Sequence, residues 1–317
     1  MRALLLLLLI GLAGCTPADK AVGFLDVAIA NNEDPYLAYV YPGEALKCPL
    51  PECTITYRSL DRDFNLHFLG ELGVGGKLKD DIQVADQVLE AVAKSWEDKG
   101  IYNVMNKPEK DGIALDTYCI VGFITNNSAM AEKVIAHSTD YHWLNEFHYQ
   151  GDDYFRRLAD ESWCVRHIYK TRVEPEMLPK YVSTLIDETD KVKSSRATLA
   201  ARVTGVIHTV YVLGDIVNQE ESVPMAYREK LKEYQDFAFS SLKEPQLKND
   251  TLTIANVLDA LLHSGYPKEE LDRYVGILER RQTSEGFWYP NVADEEKMAH
   301  VFTTFRVVLA LERYEQS

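Results

Sequence analysis

The chain has 317 residues and a formal charge of −15. It is long enough for one large domain or two small ones. The acidic balance, with no basic stripe anywhere, excludes nucleic acid as a partner and gives anionic lipid no electrostatic hold on the surface.

Taken in order, Met1-Arg2 and the apolar run Ala3 to Gly14 have the make-up of a secretory signal, too short to span a bilayer. Leu12-Ala13-Gly14-Cys15 resembles a prokaryotic lipobox. That resemblance implies removal of residues 1–14, a lipid on the Cys15 sulfur, and an exported body held on the extracytoplasmic face of a cell membrane or outer membrane. The plainer alternative is an ordinary signal peptide followed by an unrelated cysteine. No later run approaches the ~18 apolar residues of a membrane span.

Residues 15–53 read as a tether with a first helix (Asp19 to Ala30) and a loop rich in Pro, Gly and Tyr. Residues 54–317 read as a single helical domain. Cys48 and Cys53 bracket Pro-Leu-Pro-Glu and can close a small loop in a disulfide-permissive compartment. No clustered His or Cys-x-x-Cys supports a metal, so none is expected.

Thr54 to Leu72 is expected to be a helix with Leu60, Phe64 and Phe68 on one face, broken by Gly73, Gly75 and Gly76. An amphipathic helix runs from Asp80 to Trp96. After a loop containing Pro108, Asp116 to Ile124 is apolar again. Expected helices then cover Ser128 to His137, Asp152 to Lys170, Pro175 to Val192, Ser194 to Gly214, Val223 to Leu242, Asp250 to His263 and Pro267 to Gln282, with a last one from His300 to Leu311. Asn249 or Asp250 is placed to cap its helix and Gly265 to end it. Strand alternation is hard to find anywhere, so the fold class is all-α.

Apolar helices start near Tyr57, Asp116, Glu161, Arg202, Thr253 and Thr303, a period of helix pairs. An apolar helix must be covered on most sides and an amphipathic one on a single side. Six of each pack economically as an inner ring within an outer ring, an (α/α)6 toroid, and a closed ring removes the exposed ends of an open solenoid. Asp116-Thr-Tyr-Cys119 and Glu161-Ser-Trp-Cys164 match position by position in this period. Two neighbouring inner helices would then hold their cysteines at equal height, as a disulfide or as two buried thiols.

Gln282-Thr-Ser-Glu-Gly286-Phe-Trp288 resembles the repeat motif of the squalene–hopene cyclase and protein prenyltransferase β-subunit superfamily, and Trp96-x-x-x-Gly100-x-Tyr102 is a degenerate copy. The resemblance covers about Asn249 to Tyr314. It implies glycine for the turn, an aromatic capping the outer helix, a glutamine for orphaned helix-end groups, and a ligand-binding cavity inside the ring. The signature chemistry of that superfamily is altered here. Of the cyclase Asp-x-Asp-Asp only Asp116 remains, and Thr303 stands where the prenyltransferase zinc histidine would align, with His300 three residues earlier.

The candidate ligand-binding residues are Tyr57, Arg58, Asp61, Arg62, Tyr118, Trp163, Arg166, Arg202 and His300. The arginines can line a basic cavity wall, helped by helix N-termini gathered at one mouth, or can pair with acids on neighbouring helices. The first arrangement suits an anionic small molecule, glycan or isoprenoid phosphate. Asp116 and Glu161 are the acid/base candidates if the chain is an enzyme; capping and ion pairing are their structural alternatives. No cofactor is expected. His167 and His208 read as core histidines.

Overall fold

The computed structural model describes residues 128–140, 153–220, 222–291 and 300–317, together with Pro17, Ala21, Cys119, Gly122, Phe123 and Asn126. Eight α-helices lie in these segments: α1 (Ser128–Asp140), α2 (Asp153–Thr171), α3 (Leu178–Ser194), α4 (Leu199–Gln219), α5 (Met225–Ser241), α6 (Thr251–His263), α7 (Asp272–Arg280) and α8 (His300–Gln316). The described residues contain no strand, only an isolated bridge between Asp250 and Asn291. The described residues are therefore all-α, as expected.

The two most apolar helices, α4 and α6, pack against most of their neighbours. α4 touches α2, α3, α5 and α6, and α6 touches α4, α5, α7 and α8. This makes a row of α2, α4, α6 and α8, backed by α3, α5 and α7. Val206, Val210 and Leu213 of α4 and Val257, Leu258 and Leu261 of α6 are buried in that row. Each such side chain stabilises by about 1.5–3 kcal/mol through burial.

Helices of the row run parallel and are offset by a nearly constant interval. Arg166 meets Asp215 and Asp215 meets His263, at separations of 49 and 48 residues. Tyr211 meets Asp259 at 48, and Asn256 meets Arg306 at 50. The backing helices keep the same step, with Tyr227 donating to the Pro179 carbonyl 48 residues away. The repeat read from the apolar starts is thus a spatial repeat across the described helices. The predicted helices before Ser128 lie outside the described residues.

Local chemistry sets the ends. The Asp250 carboxylate accepts from the Thr253 amide at 2.8 Å and caps α6, as its position suggests. Thr198 caps α4 in the same way. Several boundaries differ from the sequence reading. Pro175 opens a separate 3-10 turn (Pro175–Met177), so α3 starts at Leu178. The segment after Pro267 begins as a 3-10 turn (Lys268–Glu270) before α7. α4 starts and ends five residues later than expected, with Gly214 inside it. A Cβ on Gly214 would lie 2.9 Å from the Ser264 Cβ, so this glycine admits close approach of α6 and does not end the helix.

That shift also revises the expectation about apolar runs. By length and composition α4 is long enough to cross a membrane, with mean hydropathy 1.3 over its best window. It is enclosed by four other helices and carries Arg202 and Asp215, which makes it a core helix.

The Gln282–Trp288 motif works as a clasp. Gly286 has φ 96°, which a side chain would resist. Trp288 is fully buried; its indole Nε1 donates to the Leu278 carbonyl at 2.6 Å and its amide to Thr304 Oγ1 at 3.0 Å. The aromatic thus caps α7 and ties it to α8. Gln282 does something other than the expected capping. Its Nε2 donates to the Gly286 carbonyl at 3.0 Å and to the Pro17 carbonyl at 2.7 Å.

Cys119 and Cys164 come to bonding distance, with Cα atoms 4.5 Å apart. This is the pairing that the matched tetrapeptides suggest, within the window a disulfide needs. Thiol titration of the oxidised, denatured chain is expected to find neither of these cysteines free. Peptide mapping that recovers either one alkylated without reduction would contradict the bond. Cys48, Cys53 and Cys15 lie outside the described residues.

Candidate functional site

The candidate site forms where the C-terminal ends of α2 and α4 meet. A cleft of about 290 Å³ is lined by Phe123, Arg166, Tyr169, Lys170, Arg172, Asp215 and Gln219. Along α2, Trp163, Arg166 and Lys170 follow at intervals of three and four, so they share one helix face. That face turns toward Phe123 on one side and α4 on the other.

Arg166 is the fixed point. Its Nε donates to Asp215 Oδ2 at 2.8 Å, and its guanidinium lies 4.8 Å from the Phe123 ring centre, 4.9 Å from Trp163 and 5.5 Å from Tyr211. Three rings and one carboxylate hold it in place. Asp215 has a second partner in His263, whose Nε2 is 2.6 Å from Oδ1. Burial alone would raise the Asp215 carboxyl, but Arg166 and His263 outweigh it and hold the group well below the usual carboxylate range.

Lys170 and Arg172 complete the basic wall. Arg172 pairs with Glu220, which also accepts from the Tyr169 hydroxyl. Lys170 donates to the Phe123 carbonyl at 2.9 Å and lies over its ring; no carboxylate pairs with it among the described residues. Burial lowers its pKa, Arg166 lowers it further, and Asp215 opposes both. Three cations thus face two carboxylates, a local positive excess in a strongly acidic chain.

Behind the cleft the polar chain continues through the core. Arg313 connects His263, 3.0 Å from its Nδ1, to Asp259. Asp259 is fully buried and also holds Arg306 and the Tyr211 hydroxyl. Arg306 Nε donates to Asn256 Oδ1 at 2.6 Å. Burial would raise Asp259, but Arg313 and Arg306 keep it lowered and charged. Each of the four helices of the row contributes to this ladder, at equivalent heights in the repeat.

Of the residues singled out in the sequence, Arg166 lines the cleft and Trp163 supports it from beneath, 5.0 Å from Phe123 edge to face. Trp163 is 1% exposed, so its ring packs against protein and leaves no face for a sugar. Glu161 is buried one turn earlier on α2. Arg202 lies near the opposite end of α4, donating to the Lys193 carbonyl at 3.2 Å. His300 begins α8. Tyr57, Arg58, Asp61, Arg62, Asp116 and Tyr118 lie outside the described residues.

Two details of the basic wall differ from the sequence reading. The acids paired with Arg166 and Arg306 are Asp215 and Asp259, one repeat away, which the sequence reading did not single out. The cleft opens at helix C-termini, where the macrodipole favours cations, so arginine and lysine side chains supply its positive potential. Among the described residues no three His, Cys, Asp or Glu side chains gather where they could hold a metal ion. No family profile, curated protein or solved structure matches the chain.

Proposed function

We propose that this chain is an exported, lipid-anchored binding protein that takes an anionic ligand in the cleft at the ends of α2 and α4. The body is an α/α toroid of the terpenoid cyclase and prenyltransferase type, of which the parallel row of α2, α4, α6 and α8 with its backing helices is part. The lipobox-like Leu12-Ala13-Gly14-Cys15 supports the anchor.

The observation that carries the binding reading is the pre-organised Arg166. Its Nε is committed to Asp215 and its plane is held by three rings, while Lys170 stands beside it with no carboxylate partner among the described residues. A carboxylate or phosphate entering the cleft meets fixed donors and little side-chain entropy is lost on binding. The alternative, an envelope enzyme acting on glycan or isoprenoid with Asp116 and Glu161 as acid and base, predicts turnover that is lost in Asp116→Asn.

The test uses the unlipidated mature chain, made by Cys15→Ser, and measures thermal shifts with pyrophosphate, glucuronate and geranylgeranyl phosphate. At least one anion is expected to raise Tm, since a ligand at 100 times its Kd stabilises by about 2.7 kcal/mol. Lys170→Met removes one charge-assisted contact and is expected to weaken that ligand about tenfold or more while leaving the unliganded Tm near that of the parent. No shift with any anion, or an equal shift in Lys170→Met, contradicts the reading.

A further inference from the structure

The contact between Gln282 and Pro17 bears on how an anchored body would stand on its membrane. Pro17 follows Cys15 by two residues, a reach of at most ~7 Å. Its carbonyl accepts from Gln282 Nε2 at 2.7 Å, and Ala21, four residues further on, is fully buried in the main core cluster. The start of the mature chain is therefore fastened to the body with no slack for a long flexible stalk at this point.

The fastening occurs at one identifiable end of the helix row. Gln282 follows Arg281, whose guanidinium donates to Thr251 Oγ1 at 3.2 Å, and the Thr251 amide donates to the Pro290 carbonyl at 2.8 Å. Thr251 is the first residue of α6 and His263 the last of its 13 residues. At 1.5 Å per residue these ends are about 18 Å apart. His263 holds Asp215 of the cleft wall. Because the row is parallel, the cleft opens at the C-terminal ends and the fastening point lies at the N-terminal ends.

We infer that the end of the body bearing Gln282 and Glu285 rests against the bilayer, and that the cleft opens on the opposite side, into the aqueous compartment. This deepens the binding reading and rests on its lipid anchor. The ligand is then a water-soluble anion, such as an acidic sugar or a small phosphate ester. A headgroup still embedded in the same membrane would lie on the wrong side of the body.

The test places an environment-insensitive fluorophore on a cysteine introduced at exposed Glu285 or at exposed Glu174, which follows α2 near the cleft. The full-length acylated protein is bound to phosphatidylethanolamine–phosphatidylglycerol vesicles containing a headgroup nitroxide lipid, with the unsubstituted chain carried through labelling as the blank. Quenching is expected to be at least threefold stronger at position 285 than at 174. Equal or reversed quenching in an acylated protein overturns the orientation and leaves the anchor standing. A mature chain whose Cys15 carries no acyl group by mass spectrometry overturns the anchor and this inference together. Gln282→Ala, which releases Pro17 and leaves the acyl chain in place, is expected to narrow the difference between the two positions. An unchanged difference would show that this hydrogen bond does not set the orientation.

Discussion

Asp259→Ala is expected to lower the unfolding free energy by about 3–5 kcal/mol, and Tm by on the order of 10 °C. The carboxylate is fully buried and accepts from Arg313, Arg306 and Tyr211, so its removal takes a shared buried counter-ion away from two guanidinium groups. Arg306→Met alone should destabilise for the mirror reason, because Asp259 then loses one of its two guanidinium partners. The double variant Asp259→Leu with Arg306→Met should lose much less than the sum, since the buried pair is replaced by packing atoms. Denaturant unfolding with linear extrapolation reads all three. A loss below 1 kcal/mol in Asp259→Ala, or strict additivity in the double variant, would contradict a coupled internal ladder.

A second large effect is acid lability with two separable windows. His167 is fully buried, with neither ring nitrogen hydrogen-bonded, against Gly122; a Cβ there would come within 2.2 Å of its Nε2. Burial first, and Lys170 second, push its pKa down to about 4 from 6.5. The folded state therefore resists protonation that the unfolded chain accepts. The sign follows: stability is full above about pH 6.5, falls as pH drops toward 4, and has lost about 3 kcal/mol from this group once below it. Asp215 and Asp259 have folded pKa values depressed below the ordinary carboxylate value, so their contribution persists through this window and disappears only at lower pH. His167→Leu should flatten the limb between pH 6.5 and 4 and leave the lower limb in place. An unchanged profile in that variant would show that His167 does not stay neutral in the folded chain.

Much of the described helical architecture was legible in the sequence because its punctuation is local. Pro267 and Gly265 act through their own backbone, Asp250 through its own side chain, and the apolar period of α6 needs no tertiary partner to be recognised. The cysteine pairing was legible through the repeat: Cys119 and Cys164 occupy the same place in two matching tetrapeptides, and a parallel offset brings equal places together. Arg166 stood out as one of several arginines grouped on the expected inner helices.

Its surroundings did not. Asp215, Asp259 and His263 are scattered polar residues in the apolar helices α4 and α6, and Arg313 lies in the charged end of α8, so in sequence each reads as a solvent-facing position or a cap. What makes them a ladder is an offset of nearly fifty residues between helices, visible only once the helices of the row are known to be parallel. The expectation of helix N-termini at the ligand mouth assumed that the end carrying capping acids also carries the site. The basic cleft instead lies at the other end, where Lys170 sits in the last turn of α2 and Arg172 just beyond it.

The central claim is that the Arg166 cleft receives an anion, and a bound structure tests it most directly. Crystals of the Cys15→Ser chain without residues 1–14 would be grown without phosphate or sulfate and soaked with the anion that gives the largest thermal shift. The account predicts density for its charged group between the Arg166 guanidinium and Lys170 Nζ, with the Arg166–Asp215 bond intact. Density for that anion at another place on the protein, with this cleft empty, would contradict it.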